Sequence, residues 1–200
     1  MILIIDNFDS FTFNLADYFH KCGISTSVVS YDAFEMSMLS SAEAVVFSPG
    51  PGHPDEYPVL FEILNTLPAD KALLGVCLGH QIICKHFGWN IKKAKQPMHG
   101  KTSIIHLNPH PIWETLNHET EVMRYHSLIA EPSNNASDLE IIAQTDEKEV
   151  MAVAHKNKNI IGLQFHPESI LSFSGLKMIK NWSNYYLKKK FNLSLQSIKA

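Results

Sequence analysis

Cys77 stands at the centre of GVCLGHQ, with Gly75 two residues before it and Gly79 two residues after. The apolar run from Lys71 to Val76 reads as a buried strand, and helical spacing follows from Gly79 to Phe87. Strand, G-x-C-x-G, helix is an arrangement in which two side-chain-free residues let the chain make a sharp elbow. The elbow is expected to expose the sulfur at a bend, at a helix N-terminus. A free thiol of pKa ~8.5 is largely protonated at neutral pH, but a helix N-terminus and a nearby imidazolium both favour the anion. The same turn aims the backbone N–H of Leu78 at an oxygen that the nucleophile would create, which is half of an oxyanion hole.

The other half needs a second loop. FSPGPGHP, residues 47 to 54, follows an apolar strand, where parallel sheets gather their ligand loops. Pro49, Pro51 and Pro54 have no N–H, so the donor is Gly50, Gly52 or His53. A cysteine nucleophile also needs a base, and His80, His86, His126 and His166 are the candidates. His80 lies in the elbow helix, where its spacing turns it away from the thiol. His166 is better placed, because IIGLQF reads as a buried strand with HPE at its C-terminal end. Pro167 holds His166 extended, and Glu168, two residues on, falls on the same side of an extended chain, where its carboxylate would fix the imidazole tautomer.

The elements that must position these groups follow a regular order in the first half. Met1 to Ile5 is a strand, Phe11 to Gly23 a helix, Ser25 to Tyr31 and Ala44 to Ser48 further strands, and Pro58 to Leu67 a helix before the elbow strand. Continuous apolar strands alternating with helices predict a mostly parallel α/β sheet covered on both faces. After Gly88 the pattern changes to strands at Thr102 to Leu107, Glu121 to Arg124, Leu139 to Thr145, Val150 to His155 and Ile160 to Phe165, joined by short turns. These are expected to be antiparallel additions to the same sheet or to a small neighbouring one. A closing helix from about Phe173 to Leu187 ends in LKKK, cations suited to a helix C-terminus. The expected organisation is one domain over residues 1–190, with 191–200 a frayed tail.

Composition narrows the function. Seventeen basic and twenty acidic side chains give a net charge of -3, which leaves no broad footprint for nucleic acid or an anionic membrane. No apolar run approaches the ~18 residues of a spanning helix, and MILIIDNFDS is too short in its apolar part for a signal segment. Cysteines at 22, 77 and 84 form neither a disulfide framework nor a metal spacing, and eleven histidines include no HExxH pattern. A cytoplasmic chain without metal or cofactor is expected.

The ordered motifs DNFDSFTFN (6 to 14), SPGPG (48 to 52), GVCLGHQ (75 to 81), MHGKTS (98 to 103), RYHSL (124 to 128) and FHPES (165 to 169) resemble those of the class I glutamine amidotransferases. Within that family they are similar to the glutaminase subunits of anthranilate synthase and aminodeoxychorismate synthase. The resemblance implies a flavodoxin-like fold. It also implies a catalytic triad of Cys77, His166 and Glu168, an oxyanion hole at Gly50 and Leu78, and a glutamine site formed by Gly52, Gln81, Ser127 and Leu128. DNFDSFT would face the partner.

L-glutamine is the implied substrate and a chorismate-using synthase subunit the implied protein partner. Ammonia released into neutral water is mostly protonated and lost as a nucleophile, and 200 residues leave no room for a second active site. The alternatives are an amidotransferase serving another synthetase, or a non-catalytic flavodoxin-like binding module. The chain departs from the family pattern at Tyr57, Pro58, Ile82, Cys84 and His86, and in NPHPIW at 108 to 113. None of these positions carries a catalytic group, and Cys84 reads as core filler.

Overall fold

The computed structural model describes residues 1–134 and 138–187. The cations expected at 188–190 and the tail at 191–200 lie outside the described residues. Among the described residues nine strands form one sheet: β1 (Ile2–Asp6), β2 (Thr26–Ser30), β3 (Ala44–Phe47), β4 (Ala72–Val76), β5 (Asn90–Leu107), β6 (Glu119–Glu131), β7 (Leu139–Gln144), β8 (Val150–His155) and β9 (Ile160–Leu163). Four helices accompany them: α1 (Thr12–Lys21), α2 (Pro58–Thr66), α3 (Leu78–His86) and α4 (Gly175–Tyr186). The strand order is β2-β1-β3-β4-β9-β8-β7-β5-β6. The first five of these strands run parallel, and β8, β7, β5 and β6 are added antiparallel. The second half therefore extends the same sheet, one of the two arrangements its sequence allowed.

The apolar runs of the parallel strands are continuous because both sheet faces are covered. Ile2 and Ile4 of β1, Ala44 and Val46 of β3, and Leu74 and Val76 of β4 pack on one face with Leu15 and Phe19 of α1 and Ile179 and Trp182 of α4. The alternate residues Leu3, Ile5, Val45, Phe47 and Leu73 pack on the other with Leu60 and Ile63 of α2 and Ile82 and Ile83 of α3. The rings of Phe19 and Trp182 meet edge to face at 5.8 Å, which fastens the first and last helices to one another.

Two strands are much longer than their sequences suggest. β5 reaches back to Asn90 and β6 on to Glu131, and the two pair over most of that length as a ribbon at the sheet edge. Solvent reaches the outer part of β5, so Lys92, Lys93 and Lys95 show no apolar alternation there. Pro97, which lacks an N–H, and Gly100, at φ +66, lie inside the two register shifts between Lys93 and Met98 and between His99 and Lys101. α4 begins at Gly175, two residues later than expected, after a series of turns from Pro167 to Ser174.

The elbow depends on close packing. A Cβ on Gly79 would stand 2.6 Å from the backbone oxygen of Phe47, and one on Gly75 would stand 2.5 Å from the backbone of Gly79. Neither neighbour is a flexible side-chain end, so α3 sits against β3 and β4 only because both positions lack a side chain. Gly79→Ala is expected to lower the unfolding free energy by about 1–3 kcal/mol. A urea midpoint equal to that of the parent would contradict this packing.

Candidate active site

Four loops meet above the C-terminal ends of neighbouring parallel strands: residues 7–11 after β1, 48–53 after β3, the elbow after β4, and 164–169 after β9. This is where an open α/β sheet places its ligands. The segment around Tyr125 to Leu128 of β6 completes the wall. Together they enclose a cleft of about 580 Å³ whose lining includes Gly50, Gly52, Cys77, Gln81, Ser127, Leu128 and His166.

Cys77 has φ 52° and ψ −99°, a positive-φ conformation that a non-glycine residue adopts only under constraint. The constraint is visible on both sides. Its N–H donates to the carbonyl of Leu163 at 2.8 Å, and its carbonyl accepts the first turn of α3 from the N–H of Gln81 at 3.1 Å. The sulfur is less exposed than an elbow suggests: the residue is only 6% accessible, at the floor of the cleft. Its polar neighbours are the Tyr125 carbonyl at 3.7 Å and the side-chain amide of Gln164, whose Nε2 donates to Sγ at 3.8 Å.

His166 lies beyond the end of β9, its N–H donating to the carbonyl of Met123 at 2.9 Å. Its Nδ1 donates to Oε1 of Glu168 at 2.7 Å, and both side chains are almost fully buried. The expected pairing is present, but the geometry that makes it differs. Pro167 and Glu168 form a turn, closed by the Ser169 N–H donating to the His166 carbonyl at 3.3 Å, and the carboxylate folds back instead of projecting from an extended chain. Glu168 stands behind the imidazole, outside the cleft lining. Nε2 of His166 is buried without a conventional hydrogen-bond partner. Burial alone would lower the imidazole pKa, but the charges of Glu168 and Cys77 outweigh it and hold His166 well above its ordinary value.

The other candidate bases are separated from this chemistry. His80 is fully buried, its Nε2 3.6 Å from the sulfur of Cys84, and burial pushes its pKa down to about 4. Cys84 is itself fully buried, as core filler should be. His86 stacks edge-on against Phe87 at the far end of α3. His126 reaches the cleft but accepts from Nε of Arg124 through its Nε2 at 3.1 Å and donates from Nδ1 to the Leu128 carbonyl at 3.0 Å. Burial and the Arg124 charge push its pKa down to about 3, which makes it a fixed neutral spacer.

The SPGPG loop is held from beneath. The N–H of Asn7 donates to Oγ of Ser48 and its side-chain Nδ2 to the Ser48 carbonyl, both at 2.9 Å. A Cβ on Gly50 would meet Leu78 Cδ2 at 2.5 Å and Asn7 Cβ at 2.6 Å, so Gly50 and Leu78 lie directly against one another. Tyr57, one of the departures from the family pattern, donates its hydroxyl to the Pro51 carbonyl at 3.0 Å and so braces the loop. Ile82 fills the buried face of α3.

Several residues of the site escaped the sequence reading. Gln164 sits inside an apolar run, Tyr125 contributes its carbonyl, and the ring of Phe11 packs on the His166 imidazole at 5.3 Å. The motifs DNFDSFT and RYHSL contained two of these three without indicating their contacts.

The Glutamine amidotransferase class-I family matches residues 3–184. The chain belongs to this family. It is 40% identical to the aminodeoxychorismate/anthranilate synthase component 2 of Bacillus subtilis, over 94% of this chain and 98% of that one. It is 38% identical to the aminodeoxychorismate synthase component 2 of Escherichia coli, over 91% and 98%. With the anthranilate synthase component 2 of Pseudomonas aeruginosa it shares 40% identity, over 91% and 94%. The fold is shared with a Thermoplasma acidophilum protein provisionally described as part of a GMP synthase, at TM-score 0.85, 24% identity and 96% coverage of each chain.

Because protonation of His166 is favoured in the folded state, the Glu168 contact contributes stability that is complete below the unfolded histidine value, ~6.5, and is lost as pH rises through the elevated folded value. Glu168→Gln is therefore expected to destabilise most at about pH 6, with the gap to the parent closing in alkaline solution. Urea midpoints measured across that range check the sign, and a gap that widens with pH would contradict it.

Proposed function

We propose that the cleft hydrolyses the side-chain amide of L-glutamine through a covalent glutamyl-Cys77 thioester and delivers the ammonia to a chorismate-using synthase subunit. The observation that carries this reading is the convergence of Cys77, His166, Gln81, Ser127, Leu128, Gly50 and Gly52 on one cleft, with the imidazole tethered to Glu168.

In this reading the Cys77 sulfur attacks the amide carbon and the carbonyl electrons move onto oxygen, where the N–H groups of Gly50 and Leu78 receive them. Collapse breaks the C–N bond, and His166, as the imidazolium that Glu168 favours, gives the leaving nitrogen its proton. Water then attacks the thioester, His166 takes the water's proton, and glutamate leaves with the thiol restored. Gln81, Ser127, Leu128 and Gly52 hold the amino-acid portion of the substrate. Glu168 acts through His166, as the orienting member of the triad.

The partner is supported by surface chemistry beside the cleft. Phe8 and Phe13 of the first turn are 59% and 67% exposed, and Ile170 and Phe173, just after HPES, are 83% and 80% exposed. The two segments meet where Phe11 touches His166. Apolar side chains left open around an active site suit a stable subunit interface. The relatives named above carry component 2 names from both chorismate branches, and the Bacillus subtilis protein carries both names at once, which supports service to either synthase. For the reading as an amidotransferase serving another synthetase, the Thermoplasma acidophilum protein, at 24% identity, supports the fold and not the partner. The single nine-stranded sheet supports treating the described residues of the expected 1–190 unit as one domain. Three free cysteines are compatible with a reducing cytoplasm.

Cys77→Ala should reduce glutamine hydrolysis by about 10³-fold or more, while the synthase complex continues to make its aromatic product from added ammonium salt. Retained hydrolysis would remove the nucleophile from this account. Running the assay with each chorismate-using partner in turn identifies the branch by the aromatic amine formed.

A further inference from the structure

Arg124 lies in the middle of β6 with only 4% of its surface accessible, and the chemistry described above makes no use of its charge. A buried guanidinium is costly unless it is paired and hydrogen-bonded. Here the pairing is extensive. Nη2 forms an ion pair with Glu149, just ahead of β8, and Nη1 donates to Oγ of Ser103 on β5 at 3.2 Å. The third contact runs towards the cleft: Nε donates to Nε2 of His126 at 3.1 Å.

That donation decides the state of the imidazole. With Nε2 occupied as an acceptor, the proton resides on Nδ1, which donates to the Leu128 carbonyl at 3.0 Å. The same carbonyl accepts from Nε2 of Gln81 at 3.1 Å, and Gln81 Nε2 also donates to Oε1 of Gln164 at 3.2 Å. Gln164 in turn donates to the Cys77 sulfur at 3.8 Å. An unbroken series of polar contacts thus joins the Arg124–Glu149 pair to the cleft wall and the nucleophile.

We propose that Arg124, held by Glu149, is a positioning residue for the glutamine pocket: through His126 it fixes the Leu128 carbonyl, and with it the Ser127–Leu128 backbone and the Gln81 side chain. The inference rests on the glutaminase reading of the cleft and adds a residue to it. The groups acting on His126 are Arg124 and the Leu128 carbonyl on its own strand, His166 from the turn after β9, and His80 from α3. No carboxylate is among them, so removing the guanidinium removes both the donor to Nε2 and the main charge opposing protonation of the ring.

The test uses the full chain, with Arg124→Met and, as a milder change that keeps an acceptor for the guanidinium, Glu149→Gln. Nitrogen NMR of the His126 ring in the parent should show a neutral Nδ1–H tautomer from about pH 5 to about pH 8. In Arg124→Met the ring should lose that tautomer preference and begin to titrate. The KM for glutamine should rise about tenfold with kcat within about threefold, because the contact holds the bound substrate's site and not the reacting atoms. Glu149→Gln should move both readouts in the same direction by less, and it carries the test if Arg124→Met does not fold. A merely structural ion pair would lower the melting temperature and leave the tautomer and KM alone. Unchanged ring shifts and a KM within about twofold of the parent in a folded variant would overturn the proposal. If the parent chain with its synthase partner hydrolyses no glutamine, the glutaminase reading fails separately, and the ring shifts still decide whether Arg124 governs His126.

Discussion

A cysteine held at positive φ between a buried strand and a helix is the constraint on which the site depends. The conformation of Cys77 costs about 1–3 kcal/mol in isolation, and it persists because the surroundings leave no alternative. β4 is clamped between β3 and β9, and α3 approaches Phe47 and Gly75 so closely that Gly79 has no space for a Cβ. The strain accompanies a geometric benefit: the turn leaves Cys77 in the lining of the cleft, at the start of α3.

The second requirement is electrostatic. His166 and Glu168 are buried together, and a buried imidazole would ordinarily lose its proton. The carboxylate reverses that tendency at a hydrogen-bond distance of 2.7 Å. The neighbouring His126 has the opposite fate: burial lowers its pKa, and the Arg124 charge at its acceptor nitrogen adds to that effect instead of opposing it. Two histidines within one cleft are thereby pushed in opposite directions by their surroundings, the charged form favoured at His166 and the neutral form at His126.

Much of this was legible in the residues, and the exceptions have physical causes. The parallel strands announce themselves because burial on two faces demands uninterrupted apolar runs, and the elbow because glycine at two fixed offsets has few other uses. The outer part of the β5–β6 ribbon leaves no mark in the sequence because an edge open to water imposes no period-2 pattern on Lys92 to Gln96. The spacing of Glu168 from His166 points to their contact but not to the turn that makes it, since a turn and an extended chain both bring the carboxylate to the ring. Gln164 was hidden within an apolar run, and Arg124 shows its meaning only beside Glu149, 25 residues later in the chain and joined to it by the fold.

The most direct test of the account is to catch the acyl group on sulfur. Protein mixed with glutamine and quenched in acid during turnover, then digested and weighed, should carry one glutamyl group on the peptide containing Cys77, and the adduct should disappear when substrate is exhausted. Rapid hydrolysis of glutamine without that adduct at any time, or with the adduct on Cys22 or Cys84, would contradict the assignment of the nucleophile.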